Sequence, residues 1–103
     1  MPEIAQARRA LVARILDGDG RVPRAQRRAA FENEGLNEPL SRLVDRVANQ
    51  AHRVTDEDIA AAKASGLSED EIFELVVCAA IGQAARQYDA AFAALEAAAT
   101  RGE

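Results

Sequence analysis

Residues 67–86 read LSEDEIFELVVCAAIGQAAR and combine a helix start with an uncharged run. Ser68 precedes three carboxylates, and Glu71 follows it by three positions, which is the spacing of a capping box. Leu67 and Ile72 are spaced to form a hydrophobic staple across the same helix start. Since the N-terminus of a helix is the positive end of its dipole, these carboxylates serve to start the helix.

The uncharged run covers residues 75–85 and is apolar around the whole circumference of a helix. We predict one helix from Glu69 to about Thr100 and expect the run to be buried on every side, as the central helix of a bundle. Its alanines and Gly82 allow a close approach of another backbone, so we also expect a subunit contact here. The sequence leaves open whether Gly82 interrupts or kinks the helix.

The rest of the chain is also typical of helices. Alanine occurs 24 times, against 23 residues of Ile, Leu, Val and Phe, and Trp is absent. Together with turn residues, the periodicity predicts four earlier helices. They run from Pro2 to about Asp17, from Pro23 to Asn33, from a cap at Asn37 to about His52, and from a cap at Thr55 toward Gly66. We therefore predict one all-α domain over residues 1–103, a bundle of about five helices.

Charge and cysteine content narrow the function classes. The net charge is −4, but residues 1–53 hold ten arginines against seven acids, while residues 54–103 hold three basic residues against ten acids. This asymmetry favours attraction between the two halves of the chain or between subunits. The single cysteine excludes an internal disulfide, and no apolar run reaches 18 residues. We expect a cytoplasmic protein without a membrane partner.

The two helices around Gly66 have the outline of a DNA-reading helix-turn-helix. Their second helix, however, opens with Glu69, Asp70 and Glu71, and no basic residue follows until Arg86. Duplex binding depends largely on Lys and Arg at phosphates, which these carboxylates would repel. The arginines of the first two helices offer a weaker route to nucleic acid, without a base-reading pattern. We predict no nucleic-acid partner.

The spacing Ala-x-x-x-Gly-Leu-Ser-x-x-Glu-Ile, from Ala62 to Ile72, precedes the alanine-rich helix. With it, residues 38–98 resemble the carboxymuconolactone decarboxylase and alkylhydroperoxidase D-like (AhpD-like) family. The resemblance implies an all-helical fold that assembles as dimers, trimers or hexamers, with sites at or near subunit contacts.

The peroxidase branch of that family has a Cys-x-x-Cys-x-x-x-His motif that ends eight residues before the glycine. In this chain those positions are Ala51, Val54 and Asp58, and none of them matches. Peroxide reduction by this route needs one thiolate to attack and a second thiol to resolve the sulfenic acid. We therefore predict that family peroxidase activity is absent.

Four other residues are weak candidates for a site: His52, Cys78, Arg86 and Tyr88. Cys78 lies in the uncharged run, where burial favours a small apolar role over a nucleophile. His52 suits the negative end of the third helix. Arg86 is three residues from Asp89, so an intrahelical ion pair is the simpler explanation, with Tyr88 at the core boundary. The acidic clusters are capping turns, so we expect neither a metal nor a cofactor.

Two functional hypotheses follow. The first is a redox-inactive AhpD-like protein that acts as a homo-oligomeric structural or partner-binding module. The alternative is a non-thiol enzyme of the decarboxylase type for a small lactone or carboxylate, with His52, Arg53, Arg86 and Tyr88 converging on a pocket. The sequence favours the non-enzymatic hypothesis but names no substrate.

Overall fold

The computed structural model describes residues 2–102, which form five α-helices and one short 3₁₀ helix, with no strand in that range. This confirms the all-α prediction. The helices are α1 (Pro2–Asp17), α2 (Arg24–Glu32), α3 (Leu40–Asn49), α4 (Asp56–Ala64) and α5 (Glu69–Thr100), with the 3₁₀ helix Ala51–Arg53 between α3 and α4.

The starts of α4 and α5 confirm the local signals in the sequence. The Ser68 hydroxyl accepts the Glu71 N–H at 3.1 Å, and the Glu71 carboxylate accepts the Ser68 N–H at 3.0 Å. Thr55 forms the same reciprocal pair with Asp58. These contacts satisfy backbone donors that have no partner inside the helix.

The predicted cap of α3 is wrong. Asn37 does not cap the helix with its side chain; its backbone carbonyl accepts the Ser41 N–H at 3.0 Å, and the helix begins after Pro39. A proline has no N–H and fixes its own φ, so the turn around it displaces the helix start toward Leu40. By contrast, α2 begins after Pro23 as predicted and ends at Asn33, which takes a left-handed conformation with φ 55°.

The core is built around the first half of α5. One buried cluster joins the α1–α2 loop, α2 and α3 to α5, and a second joins α3 and α4 to its first turn. The first contains Val22, Ala30, Val44, Leu75, Cys78 and Ala79; the second contains Leu43, Ala62 and Ile72. Both clusters lie on one side of α5, and its opposite side is bordered by α1 across an open groove.

Gly82 marks the point where α2 crosses α5. The α5 helix is continuous through this residue, which answers the question left open by the sequence. A Cβ placed on Gly82 would overlap the carbonyl oxygen of Phe31 at the end of α2. Glycine is therefore required here for close approach of two backbones, not for flexibility.

The second half of α5 extends beyond the rest of the chain. Every residue from 86 to 100 except Ala98 is exposed, and the molecule measures 54 Å along its longest axis against 29 and 20 Å along the others. The radius of gyration is 15.7 Å. A compact domain of this length has about 13 Å. An unsupported helical arm explains the difference.

The expectation that the uncharged run is buried on every side is wrong for the single chain. Ala80 and Ala84 are exposed, and Val77 and Ile81 are only half-buried. The physical reason is that α2 and α3 cover one side of α5, whereas α1 only borders the other side across an open groove. An apolar circumference therefore remains partly in water.

The opposite charges of the two halves of the sequence pair with each other within the fold. Three of the five ion pairs among the described residues join an arginine of the first half to an aspartate of the second half. These three pairs are Arg8–Asp89, Arg21–Asp70 and Arg46–Asp58.

Candidate functional site

Cys78 is a core residue. Its side chain is 1% exposed and packs among the apolar residues of the first cluster. Burial raises the pKa of the Cys78 thiol; Arg27 lowers it and Glu74 raises it, each to a smaller extent. The adjoining cleft has a volume of only about 170 Å³. A protonated, enclosed thiol is a poor nucleophile, which agrees with its interpretation as a small apolar residue.

Arg27 and Glu74, beside Cys78, are buried or half-buried polar groups that sequence reasoning missed. The Arg27 guanidinium donates to three backbone carbonyls, those of Val22, Ile15 and Gly18, at 2.8–3.2 Å. The Glu74 carboxylate accepts the backbone N–H groups of Arg21 and Val22 at 2.9 and 2.8 Å. Arg27 thus fixes the α1–α2 loop to α2, and Glu74 fixes it to α5. No spacing rule connects them, because their partners are backbone atoms distant in sequence.

The positions of the family thiol motif hold a structural ion pair. The Asp58 carboxylate accepts two hydrogen bonds from Arg46, at 2.8 and 2.7 Å, and lies at the start of α4. The bonds from Arg46 and from the Thr55 backbone lower the pKa of Asp58. Ala51 begins the 3₁₀ helix and Val54 follows it, and neither side chain carries a reactive group. This corner has no means of thiol chemistry.

The predicted polar residues do not form one cluster. His52 and Arg53 are exposed on the 3₁₀ helix that follows α3, whereas Arg86 and Tyr88 lie on the second half of α5. Arg86 and Tyr88 also point to different clefts, one on each side of α1.

The proposed ion pair between Arg86 and Asp89 is wrong. Asp89 accepts two hydrogen bonds from Arg8 of α1, at 2.6 and 3.0 Å, which lower the pKa of Asp89 and raise that of Arg8. Arg86 instead donates to the Phe31 carbonyl at 2.7 Å and to Gln83. Each partner belongs to a neighbouring element or turn, so spacing along α5 alone could not identify it.

A basic cleft of about 590 Å³ lies where α1, the end of α2 and α5 meet. Arg8 and Arg28 in its wall are paired with Asp89 and Asp17. Arg9 and Arg86 also line it, and neither has a carboxylate partner among residues 2–102. Apolar side chains complete the lining, among them Val12, Leu16 and Phe31. The cleft therefore combines two uncompensated guanidinium groups with an apolar floor.

The most extensive uncovered surface is the side of α5 that faces away from the core. We call it the α5 outer face; it comprises Phe73, Val77, Ala80, Ile81, Ala84, Tyr88, Ala91, Phe92 and Leu95. Phe73 is 68% exposed, Leu95 66% and Tyr88 47%. Tyr88 stacks on Phe92 with ring centroids 6.1 Å apart, and the Arg8 guanidinium lies 5.2 Å from the Tyr88 centroid. Apart from the contact of Arg8 with Tyr88, these large apolar groups face water.

A groove of about 300 Å³ borders this face, between α1 and α5. Ile4 and Leu11 line it on the α1 side and are 47% and 48% exposed. Ile81, Ala84 and Tyr88 line it on the α5 side. The groove widens the uncovered apolar surface from one helix to two.

Two observations on the described residues concern metal ions and membranes. Residues 2–102 contain no group of three or more His, Cys, Asp or Glu side chains that could hold a metal ion. Within the same range, no helix has the length and apolar character that crossing a bilayer requires.

No protein-family model matches the chain, and comparisons with curated proteins and with solved structures give no match either.

Proposed function

We propose that the protein is a redox-inactive AhpD-like, carboxymuconolactone decarboxylase-like helical module that acts as a homo-oligomer and offers a structural or partner-binding surface. The observation that carries this proposal is the α5 outer face, which presents large apolar side chains to solvent along a 32-residue helix. The buried Cys78 and the sulfur-free corner at Ala51 and Val54 support the absence of thiol chemistry.

A second copy of the chain fits the α5 outer face and its bordering groove by size. Four side chains of the face, Phe73, Tyr88, Phe92 and Leu95, and two of the groove, Ile4 and Leu11, are each 43–68% exposed. If a fully exposed large side chain presents about 200 Å², these six together expose roughly 600 Å². A standard interface covers about 800 Å² on each partner, so the alanines between them bring the face close to that size.

Light scattering after size-exclusion chromatography tests the assembly. We expect the wild-type chain to elute as a dimer or higher oligomer at tens of micromolar. Leu95→Lys places a charge in the α5 outer face and should shift the protein to a monomer with an unchanged helical circular dichroism spectrum. Ala93→Lys is the matched control, because this position points to the opposite side of the same exposed arm. A monomeric wild type at high micromolar concentration would contradict the proposal.

A peroxide-reduction assay with a dithiol donor tests the redox-inactive part of the proposal. We expect turnover no greater than that of the donor alone, with the wild type and Cys78→Ser indistinguishable. Robust turnover that Cys78→Ser abolishes would show a working thiol and refute the redox-inactive assignment.

The basic cleft supports a second candidate function, a non-thiol enzyme for a small lactone or carboxylate. Arg9 and Arg86 would bind the carboxylate, and Phe31 with Leu16 would contact the apolar part of the ligand. Calorimetric titration with benzoate tests it. Binding that Arg86→Gln weakens at least tenfold, and that Arg24→Gln on the exposed side of α2 leaves intact, would favour this candidate. Absence of binding at millimolar benzoate would remove it.

A further inference from the structure

We infer that two copies of the chain pack their α5 helices antiparallel, with the two-fold axis close to Ala84. This inference rests on the proposed homo-oligomer and specifies which surface is used and in which orientation. Two features support it: the geometry of the α5 outer face and the distribution of large and small side chains along it.

The outer face is one straight stripe along α5. At 3.6 residues per turn, its nine residues fall within a sector of about 120°, and from Phe73 to Leu95 it is about 33 Å long. Glu74 lies at the edge of this sector, where its carboxylate accepts the backbone N–H groups of Arg21 and Val22. The other charged residues of α5 beyond Phe73 are Arg86, Asp89 and Glu96, and all three fall outside the sector. An uncharged stripe of this length is suited to lie along a second helix.

The order of large and small residues makes the stripe complementary to itself only when it is reversed. With Ala84 opposite the partner's Ala84, Tyr88 lies over the partner's Ala80, and Phe73 lies over the partner's Leu95. Val77 then lies over the partner's Ala91. Large side chains thus meet small ones near the axis, which permits close packing, and the two largest exposed groups meet at each end.

A parallel, in-register pair would lack this complementarity. It would place Tyr88 against the partner's Tyr88 and leave alanine opposite alanine elsewhere along the stripe.

The antiparallel pair also fixes where the α1 helices lie. Both α1 helices then lie on the same side of the α5 pair, because α1 flanks α5 on the side that carries Glu96. Arg14 of α1 lines a cleft with Phe73, Val77, Glu74 and Asp19. Glu96 of the partner subunit follows the Leu95 that faces Phe73, so it comes to the edge of this cleft. The result is a four-helix arrangement of two α1–α5 pairs.

Disulfide formation between single-cysteine variants tests the orientation. Phe73→Cys and Leu95→Cys are prepared separately in a Cys78→Ala background, which removes the native thiol. The two variants are mixed and oxidised, and the products are assigned by mass spectrometry. We expect the mixed 73–95 disulfide as the main product, at least tenfold above either symmetric disulfide, since two Leu95 positions would be about 33 Å apart in this arrangement. A mixture of Phe73→Cys with Ala93→Cys is the matched control and should give no mixed product.

The outcomes separate this inference from the proposed function. Light scattering on the same mixtures reports whether a dimer is present. A dimer that yields symmetric 73–73 or 95–95 disulfides, or no 73–95 disulfide, overturns the antiparallel arrangement while the homo-oligomer stands. A monomer at every concentration overturns both.

Discussion

The two halves of α5 are both helical and both rich in apolar residues, but their surroundings differ. Residues 69–85 carry the Ser68 capping box, pack against α2, α3 and α4, and contribute Leu75, Cys78 and Ala79 to the core. Residues 86–100 are as helical and nearly as apolar, yet almost all of them are exposed. Helix propensity therefore accounts for the continuity of α5. Apolar packing within this chain stabilises its first half, whereas the second half is held by the polar contacts of Arg8 with Asp89 and of Arg86 with the Phe31 carbonyl.

This contrast shows what an apolar pattern does and does not determine. A helix that is apolar on all sides requires cover on all sides, but the sequence does not say whether the cover comes from the same chain. Here α2 and α3 cover one side of the first half. The remaining apolar surface, on both halves, forms the α5 outer face that we propose to be filled by a second copy.

Paired leucine truncations provide the largest expected effect. Leu75 is fully buried, so Leu75→Ala should lower the free energy of unfolding by about 3–5 kcal/mol through lost burial and a cavity. Leu95→Ala, in the exposed half, should change it by no more than about 0.5 kcal/mol where the chain is monomeric. Urea denaturation followed by circular dichroism measures both. Equal losses would mean that the outer half is packed within its own chain.

The next largest change in stability is expected at Gly82, where α2 crosses α5. In an ordinary helix interior, glycine to alanine stabilises by about 1 kcal/mol. Gly82→Ala should instead destabilise by about 2–3 kcal/mol, because the new methyl group overlaps the Phe31 carbonyl and forces α2 away from α5. The reverse change in the arm, Ala93→Gly, should cost about 1 kcal/mol through propensity alone. A stabilising Gly82→Ala in urea denaturation would contradict the close crossing.

The features predicted correctly from the sequence are those decided within a few residues. The caps at Thr55 and Ser68 depend on side chains three positions apart, and the sequence contains both partners. The start of α2 at Pro23 depends on one residue. The cap assigned to Asn37 failed because Pro39, two residues later, controls the local backbone.

The features that could not be predicted join distant parts of the chain. Arg8 and Asp89 are 81 residues apart, so the nearer Arg86 was the natural partner to assign to Asp89. The role of Arg27 depends on three carbonyls whose positions are known only once α1 and α2 are folded. The sequence indicates that Gly82 permits a close backbone approach, but the backbone that approaches it belongs to α2 and is distant in sequence. The α5 outer face likewise depends on which side α2 and α3 occupy.

The two ends of α5 provide a smaller contrast. Ser68→Ala removes the side-chain acceptor of the capping box and should cost about 1 kcal/mol. Thr100→Ala removes only a hydroxyl contact to the Glu96 carbonyl at the exposed end and should cost less than about 0.5 kcal/mol. Chemical denaturation of both variants against wild type measures the difference. A larger loss from Thr100→Ala would place the cooperative unit in the arm instead of the capped half.

The smallest effect concerns two aspartates whose pKa values lie below the ordinary value. Asp58 is paired with Arg46 at the α4 start that packs on the first half of α5, and Asp89 is paired with Arg8 on the arm. A lowered pKa means that the ionised form stabilises the folded chain. Its contribution is present above the unfolded pKa of about 3.9 and is lost as the pH falls through the lower folded value.

Asp58→Asn should therefore destabilise the chain at pH 7, and its difference from wild type should shrink between about pH 4 and pH 2. Asp89→Asn should show the same direction with a smaller amplitude, because its side chain is 61% exposed whereas that of Asp58 is 8% exposed. Urea denaturation at pH 7 and pH 2.5 measures both differences. If the stability difference between Asp58→Asn and wild type stays constant with pH, the Arg46 contact contributes no net stability. If the difference is larger for Asp89→Asn than for Asp58→Asn, the α1 contact holds the second half of α5 more firmly than the exposure of Asp89 indicates.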